Sequence, residues 1–143
     1  MKEILKYPGC FVCGENNENG LKAHFYYVNG VAVSELTADS RFEGYKGIYH
    51  GGIISTVLDE AMIKAILAED KYAVTAEITI RFHLPIKVGD KLKITGRVTE
   101  TKGRVFYTEA KAIRNENEIV ARAVGKCIEA KPDLKDRLVR SII

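Results

Sequence analysis

The segment that decides the fold reads YHGGIISTVLDEAM and runs from Tyr49 to Met62. Its apolar residues recur every four positions in two neighbouring rows, one through Val57 and Ala61 and the other through Leu58 and Met62. This spacing is typical of a helix, and two adjacent rows make a stripe wide enough to be covered by other elements. The segment therefore predicts one long, largely buried helix around which the rest of the chain folds.

Asp59 interrupts the apolar surroundings in the middle of this helix. A buried carboxylate without a partner is costly, so its presence needs a reason. Ser55 and Thr56 lie one turn earlier on the same side, and we expect their hydroxyls to hydrogen-bond to the carboxylate. The residues leave two interpretations open, which are a satisfied polar group in the core and a catalytic carboxylate.

The start of the helix has no conventional capping residue. No Ser, Thr, Asp or Asn stands immediately before Gly51, so we expect no side chain to satisfy the first free N–H groups. Gly51 and Gly52 have no Cβ, which lets a ligand approach their backbone. Free donors at the positive end of a helix suit a developing negative charge, such as a carbonyl oxygen under attack. The alternative is that the two glycines only make a tight turn into the helix.

The distance between Gly51 and Asp59 limits how they can act together. The two residues are eight positions apart, which is about 12 Å on a helix that rises ~1.5 Å per residue. An oxyanion donor and an attacking group must both lie about 3 Å from one reacting centre. If both residues are catalytic, Gly51 of one chain must face Asp59 of another. The catalytic interpretation therefore predicts an obligate homodimer.

The segments 42–52 and 59–62 resemble the hotdog-fold acyl-CoA thioesterases. In particular they are similar to the phenylacetic-acid-degradation type and to thioesterase-superfamily members with an N-terminal Cys-x-x-Cys-Gly, which here is Cys10 to Gly14. The resemblance implies an α+β hotdog fold, in which a curved antiparallel sheet of about five to six strands wraps a long helix. It also implies active sites between paired subunits, and it leaves open whether the homodimers pair further into a homotetramer.

The resemblance implies hydrolysis of an acyl-CoA substrate without a cofactor. Gly51, with Gly52 beside it, matches the donor to the thioester carbonyl, and Asp59 matches the nucleophile or general base. Thr75 matches a hydroxyl residue that the family places beside the carboxylate. His50 is a candidate base, but its position beside two glycines at the entrance to the helix favours a role in orienting the loop or in hydrogen-bonding the substrate.

The loop before the helix belongs to the substrate-binding side of the expected site. In the family this loop helps to close the acyl pocket, which makes Gly44, Tyr45 and Gly47 substrate-binding candidates, together with Gly52 and Ser55 on the helix. Many relatives carry an Asn six residues before the motif His. Here that position is Gly44, so a side-chain contribution is absent there.

Three other functions compete with thioester hydrolysis. A hotdog hydratase or dehydratase works on enoyl or hydroxyacyl thioesters with a His and a carboxylate. A binding protein would hold acyl-CoA without cleaving it, and a zinc-bearing interaction module would be built on Cys10 and Cys13. The spacing between Gly51 and Asp59 favours the thioesterase.

The three cysteines, Cys10, Cys13 and Cys127, cannot all pair within one chain, which weighs against a secreted disulfide scaffold. Cys10 and Cys13 have the spacing of two zinc ligands or of a redox couple, but zinc normally takes four ligands. His24 is the only nearby third candidate, and no fourth is evident. We therefore expect a packing role for this loop and no metal.

The composition is that of an ordinary globular protein, with 46% hydrophobic and 29% charged residues. The net charge of +3 suits a phosphate-bearing ligand such as coenzyme A and is too small to indicate nucleic acid. The sequence has no apolar run of membrane-spanning length and no signal-peptide pattern, so we expect a cytoplasmic protein without a membrane partner.

The remaining pattern predicts one domain over residues 1–143, with a lead segment and loop over 1–20, including one helical turn, and a tail over 132–143. Asn29-Gly30 predicts a hairpin. Strands are expected over 21–28, 31–37, 73–84, 91–100, 104–114 and 119–130, and a short amphipathic helix is expected in the tail. Alternation in the segment 73–84 predicts that the face carrying Val74 and Phe82 covers the central helix.

Overall fold

The computed structural model describes residues 2–142, which form an antiparallel sheet wrapped around one long helix. In chain order the elements are β1 (Lys2–Glu3), β2 (Tyr26–Val28), β3 (Val31–Thr37), a 3-10 turn (Ser40–Phe42), α1 (Gly51–Leu67), β4 (Ala73–Phe82), β5 (Lys91–Lys102), β6 (Val105–Arg114), β7 (Glu118–Glu129) and α2 (Pro132–Arg140). The strand order across the sheet is β1-β2-β3-β5-β6-β7-β4. The expected α+β hotdog fold is confirmed, and β1 raises the number of strands to seven.

Helix α1 packs against β3, β4, β5, β6 and β7. Val57, Leu58, Ala61 and Met62, from the two predicted apolar rows, are all fully buried. Burying each large apolar side chain stabilises the fold by about 1.5–3 kcal/mol. The sheet approaches the helix so closely that a Cβ on Gly96 of β5 would lie only 2.4 Å from the Ala61 carbonyl oxygen. Glycine at this position allows the sheet to close over the helix.

The hairpin between β2 and β3 turns at Asn29 and Gly30, as the sequence predicts. Both residues have positive φ, of 50° and 79°, which is the requirement of a tight two-residue turn that matches the twist of the strands. The strand expected from residue 21 begins only at Tyr26. The reason is that the Leu21 and Ala23 N–H groups donate instead to carbonyl oxygens of the N-terminal loop, 2.9 and 2.8 Å away. The helical turn expected in the lead segment is also wrong, since Lys2–Glu3 pairs with β2.

Strand β4 carries a β-bulge that changes which residues face the helix. Thr75 and Glu77 pair with adjacent residues of β7, so Ala76 is an extra residue in β4. A shift of one residue moves side chains to the opposite face of a sheet. Thr75 therefore points towards the helix, while Val74, on the opposite face, is 38% exposed. The predicted assignment of Val74 to the helix-covering face is wrong for this reason. Phe82 follows the bulge in step with Ile78 and Ile80, and its ring lies beside Gly51 at the start of the helix.

The second half of the chain follows the sequence pattern closely. Strands β5, β6 and β7 lie where they are expected, with ends that differ by up to two residues. The tail helix is present as α2, which begins at Pro132. Within residues 2–142, no helix combines the length and the apolar character needed to cross a membrane.

Candidate active site

Helix α1 is capped by His50, which corrects the expectation of an uncapped start. The His50 Nδ1 accepts a hydrogen bond of 2.8 Å from the Gly52 N–H. A ring nitrogen that accepts carries no proton, so the imidazole proton is assigned to Nε2. The N–H groups of Ile53 and Ile54 both donate to the His50 carbonyl oxygen. His50 therefore satisfies three of the first four N–H groups of the helix.

The Gly51 N–H is the member of this group that stays free. In the described part of the chain it has no acceptor, whereas the Gly52 N–H, expected as a second donor to the substrate, is taken by His50. A free N–H at the first position of a helix lies at the positive end of the helix dipole. One backbone donor remains available for a negatively charged oxygen.

The Gly51 backbone opens onto a cavity of about 810 Å³. The cavity lies between the loop that precedes α1 and residues 82–86, which follow β4. Gly44, Tyr45 and His50 line it, while Gly47 does not and instead forms a turn in which its N–H donates to the Glu43 carboxylate. Its apolar lining consists chiefly of Ile48, Ile54, Phe82, Leu84 and Ile86. The free donor thus faces a largely apolar space of ligand size.

Asp59, in the middle of α1, is held by Thr75. The Thr75 Oγ1 donates a hydrogen bond of 2.6 Å to the Asp59 Oδ1. The bulge in β4 turns Thr75 towards the helix and makes this contact. Hydrogen bonds to an ionised carboxylate are short and about twice as strong as neutral ones. Thr75 therefore fixes one oxygen of the half-buried carboxylate and leaves the other without a side-chain donor in residues 2–142.

Ser55 and Thr56 do not hydrogen-bond to Asp59, contrary to the sequence-based expectation. Each hydroxyl donates to the carbonyl oxygen four residues earlier, from Ser55 to Gly51 at 2.8 Å and from Thr56 to Gly52 at 2.9 Å. A hydroxyl has one proton to donate, so none is left for the carboxylate. Both hydroxyls are therefore satisfied within the first turns of α1.

Gly51 and Asp59 are not brought together within one chain. Asp59 and Thr75 lie outside the cavity that Gly51 lines. They share with Gly51 one side of α1, on which Ser55 and Asp59 are only half-buried and Gly51 is exposed. The two halves of the expected site thus lie along one partly uncovered helix face.

A second polar cluster lies beside α1, next to the N-terminal loop. Cys10, Cys13 and Glu60 meet there, and the Cys10 Sγ lies 3.7 Å from the Glu60 Oε2. The hydrogen bond from the Cys13 thiol lowers the pKa of the Cys10 thiol. His24, the third metal ligand that the sequence suggested, contacts Glu3 and Glu15 instead. Glu60 is too far from the cysteines in the sequence to be recognised from spacing.

The sequence model of the thioesterase superfamily matches residues 46–121, more than half of the chain. The chain belongs to the thioesterase superfamily. The matched range of this superfamily member contains Gly51, Asp59 and Thr75. The resemblance found in the sequence is therefore confirmed.

Other members of the superfamily share sequence or fold with this chain. Human acyl-coenzyme A thioesterase 13 is 24% identical over 101 residues, which are 69% of this chain and 67% of that protein. The Escherichia coli PaaI protein, from the phenylacetic acid degradation operon, has a TM-score of 0.72 at 23% identity, and the match covers 78% of this chain and 81% of PaaI.

A hypothetical thioesterase from Streptococcus pneumoniae TIGR4 has been solved with coenzyme A. That hypothetical thioesterase has a TM-score of 0.71 at 18% identity, and the match covers 76% of this chain and 88% of the other. Two mutant structures of it replace an Asp and a Thr, which are 16 residues apart, with Ala. Asp59 and Thr75 are also 16 residues apart.

Proposed function

We propose that this superfamily member hydrolyses acyl-CoA thioesters at sites shared between two copies of the chain. The observation that carries the proposal is that a hydrogen-bond donor and a carboxylate lie at separate places along α1. A free Gly51 N–H opens onto a cavity at one end of the exposed face, and the Asp59 carboxylate stands near its middle. Two copies with antiparallel α1 helices would bring each donor to the other copy's carboxylate, and twofold symmetry would make two equivalent sites.

The Gly51 N–H would bind the thioester carbonyl oxygen. The hydrogen bond strengthens as negative charge develops on that oxygen, which stabilises the transition state more than the bound substrate. Asp59 of the second copy then attacks the carbonyl carbon or removes a proton from an attacking water. The carbon–sulfur bond breaks, coenzyme A leaves as a thiolate and takes up a proton, and water supplies the oxygen of the released acid.

The comparisons support acyl-CoA as the ligand and Asp59 and Thr75 as functional residues. The Streptococcus pneumoniae relative contains coenzyme A, and the human relative is named an acyl-coenzyme A thioesterase. The Asp and the Thr replaced in the former have the same spacing as Asp59 and Thr75. The net charge of +3 also suits a ligand that carries phosphates.

Free surfaces of the single chain support a homodimer as the minimal assembly. Strand β4 pairs with β7 on one side and presents its other edge over ten residues. An exposed edge of this length with exposed apolar side chains is typically covered by another chain. Val74 and Phe82 are such side chains, and Tyr45, at the cavity, is 87% exposed. A second copy would cover these groups.

The proposal is tested by incubating the purified protein with short, long and aromatic acyl-CoAs and measuring free thiol with a colour reagent. We expect thiol release from at least one of these substrates. Loss of enoyl absorbance from crotonyl-CoA without thiol release would indicate a hydratase instead. Acyl-CoA binding without turnover of any substrate would indicate a binding protein.

Thr75 is expected to act as a positioning residue for Asp59. Thr75→Val removes the donor but keeps a β-branched side chain, and we expect kcat to fall by about tenfold to a hundredfold, with little change in KM. Thr75→Ser restores the hydroxyl and is expected to recover most of the lost kcat. A loss of stability with an unchanged kcat in Thr75→Val would assign the hydroxyl a structural role only.

A further inference from the structure

We propose that Cys10, Cys13 and Glu60 form a binding site for a zinc-like divalent cation, which fastens the N-terminal loop to helix α1. The two sulfur atoms and a carboxylate oxygen all lie within 4.8 Å of one another. Donor atoms at such distances can contact one ion, because Zn–S and Zn–O bonds are about 2.0–2.3 Å long. The site is separate from the cavity lined by Gly51 and does not depend on the proposed hydrolysis.

The backbone of the loop is shaped around the Cys10 sulfur. The N–H groups of Val12 and Cys13 both point at the Cys10 Sγ, at 3.3 and 3.5 Å. Gly14 closes the loop with a hydrogen bond of 2.9 Å to the Cys10 carbonyl oxygen. A Cβ on Gly14 would lie 2.3 Å from the Pro8 carbonyl oxygen, so only glycine fits there. The loop thus places N–H donors around a sulfur, which stabilises the negative charge that metal binding requires.

The charges around the site favour a divalent cation. With both cysteines as thiolates, they and the Glu60 carboxylate carry three negative charges when they bind a metal. The Lys64 side chain is fully buried, its Nζ lies 3.9 Å from the Glu60 Oε2, and it donates to the Leu5 carbonyl oxygen. Buried charges are stable only when they are compensated. Lys64 supplies one positive charge, and a divalent cation would bring the cluster to neutrality.

The donor set selects the class of metal. Two thiolates and one carboxylate suit zinc, or another ion that binds sulfur, and they disfavour magnesium and calcium, which take oxygen ligands. Cys10 also lines a groove of about 510 Å³ between the N-terminal loop, Ile63 of α1 and Leu138 of α2. Three protein ligands with an open fourth position are typical of zinc sites that also bind water or an outside ligand. The groove reaches Cys10, one of the three ligands.

The site would tie two parts of the chain that are distant in sequence. Glu60 follows Asp59 in α1, and neighbouring residues of a helix point about 100° apart. The two carboxylates therefore lie in different surroundings. A bound ion would hold the loop against the helix that carries Asp59. We expect the ion to raise the midpoint of thermal unfolding because it binds the folded chain.

The test uses the full chain, purified under reducing conditions without a metal-affinity column. Metal per chain is measured by elemental mass spectrometry, and the stripped protein is titrated with zinc against a chromophoric chelator and with cobalt. We expect one ion per chain and a thiolate-to-cobalt absorption band in the near ultraviolet. Cys10→Ser and Cys13→Ser should lose stoichiometric binding, and Glu60→Gln should weaken it by about tenfold or more.

The third cysteine provides the matched control. Cys127 lies in another part of the core with Ile66 and Phe106, so Cys127→Ala should still bind one ion. Wild-type protein that binds no stoichiometric zinc, or whose cobalt complex lacks the thiolate band, would overturn the proposal. Equal affinity in the wild type and in a well-folded Cys13→Ser variant would also overturn it. A Cys10–Cys13 disulfide in a parallel preparation purified without reductant, with no metal bound, would overturn the proposal and assign the pair to redox chemistry.

Discussion

Asp59→Asn is expected to lower the turnover of acyl-CoA by about 10²–10⁴-fold, the usual contribution of a positioned base. The amide has the same shape as the carboxylate but neither attacks a carbonyl carbon nor accepts a proton from water. The Thr75 Oγ1, which now donates to the Asp59 Oδ1 at 2.6 Å, can donate equally to the amide oxygen. The fold is therefore expected to survive the change, and kcat should fall without loss of the folded state.

Asp70→Asn is the matched control for this prediction. Asp70 is exposed just after α1 and has a φ of 59°, a conformation that Asn adopts readily. Steady-state thiol release and thermal unfolding should be measured for both variants. Turnover by Asp59→Asn within a few-fold of that of Asp70→Asn would exclude the carboxylate from the chemistry.

Gly51→Pro is expected to reduce kcat by about 10²–10³-fold, because proline removes the one free N–H at the start of α1. Proline is well tolerated at the first position of a helix. His50, the preceding residue, already has a ψ of 129°, which is the conformation that proline requires before it. The variant therefore deletes a hydrogen-bond donor with little expected change in the helix.

Gly51→Ala separates the loss of the donor from the loss of space. A Cβ at Gly51 would lie 3.5 Å from the Phe82 ring, an ordinary contact, and alanine keeps the N–H. We expect Gly51→Ala to keep far more activity than Gly51→Pro when kcat and KM are compared. Equal losses in both variants would show that the cavity requires space at this position and does not use the N–H.

The fold could be predicted from the sequence where a local residue pattern fits only one type of secondary structure or turn. The two apolar rows of α1 fix its identity, because a strand would send the adjacent residues Val57 and Leu58 to opposite faces, whereas a helix keeps both rows on one side. The Asn29-Gly30 turn fixes the hairpin, because few residues accept two successive positive φ angles. These features depend on neighbours in the sequence.

The parts of the candidate site that sequence reasoning missed depend on contacts that no short pattern records. His50 caps α1, although histidine is not a preferred capping residue, because its Nδ1 reaches the Gly52 N–H. One extra residue at Ala76 turns Thr75 towards the helix, and simple alternation assigns Thr75 to the other face. A signal for the bulge was available only in Thr75 itself, a polar residue that matched the family position beside a carboxylate.

The cluster at the N-terminal loop also depends on a contact that no short sequence pattern records. The spacing of Cys10 and Cys13 indicates a pair of ligands, but their third companion, Glu60, is 50 residues from Cys10. The sequence pointed to His24 because it is nearer along the chain. The packing of the loop on α1 determines which residues form the cluster, and this packing is a property of the tertiary structure.

The central claim is that each site takes Gly51 from one copy and Asp59 from another, and mixing two inactive variants tests it directly. When Asp59→Asn and Gly51→Pro chains are co-expressed in equal amounts, about half of the dimers contain one chain of each kind. Each mixed dimer would have one site with both residues intact. We predict about a quarter of the wild-type kcat in the mixture, although each variant alone is nearly inactive. Activity no higher than the mean of the two variants, with mixed dimers verified by mass spectrometry, would contradict the shared site.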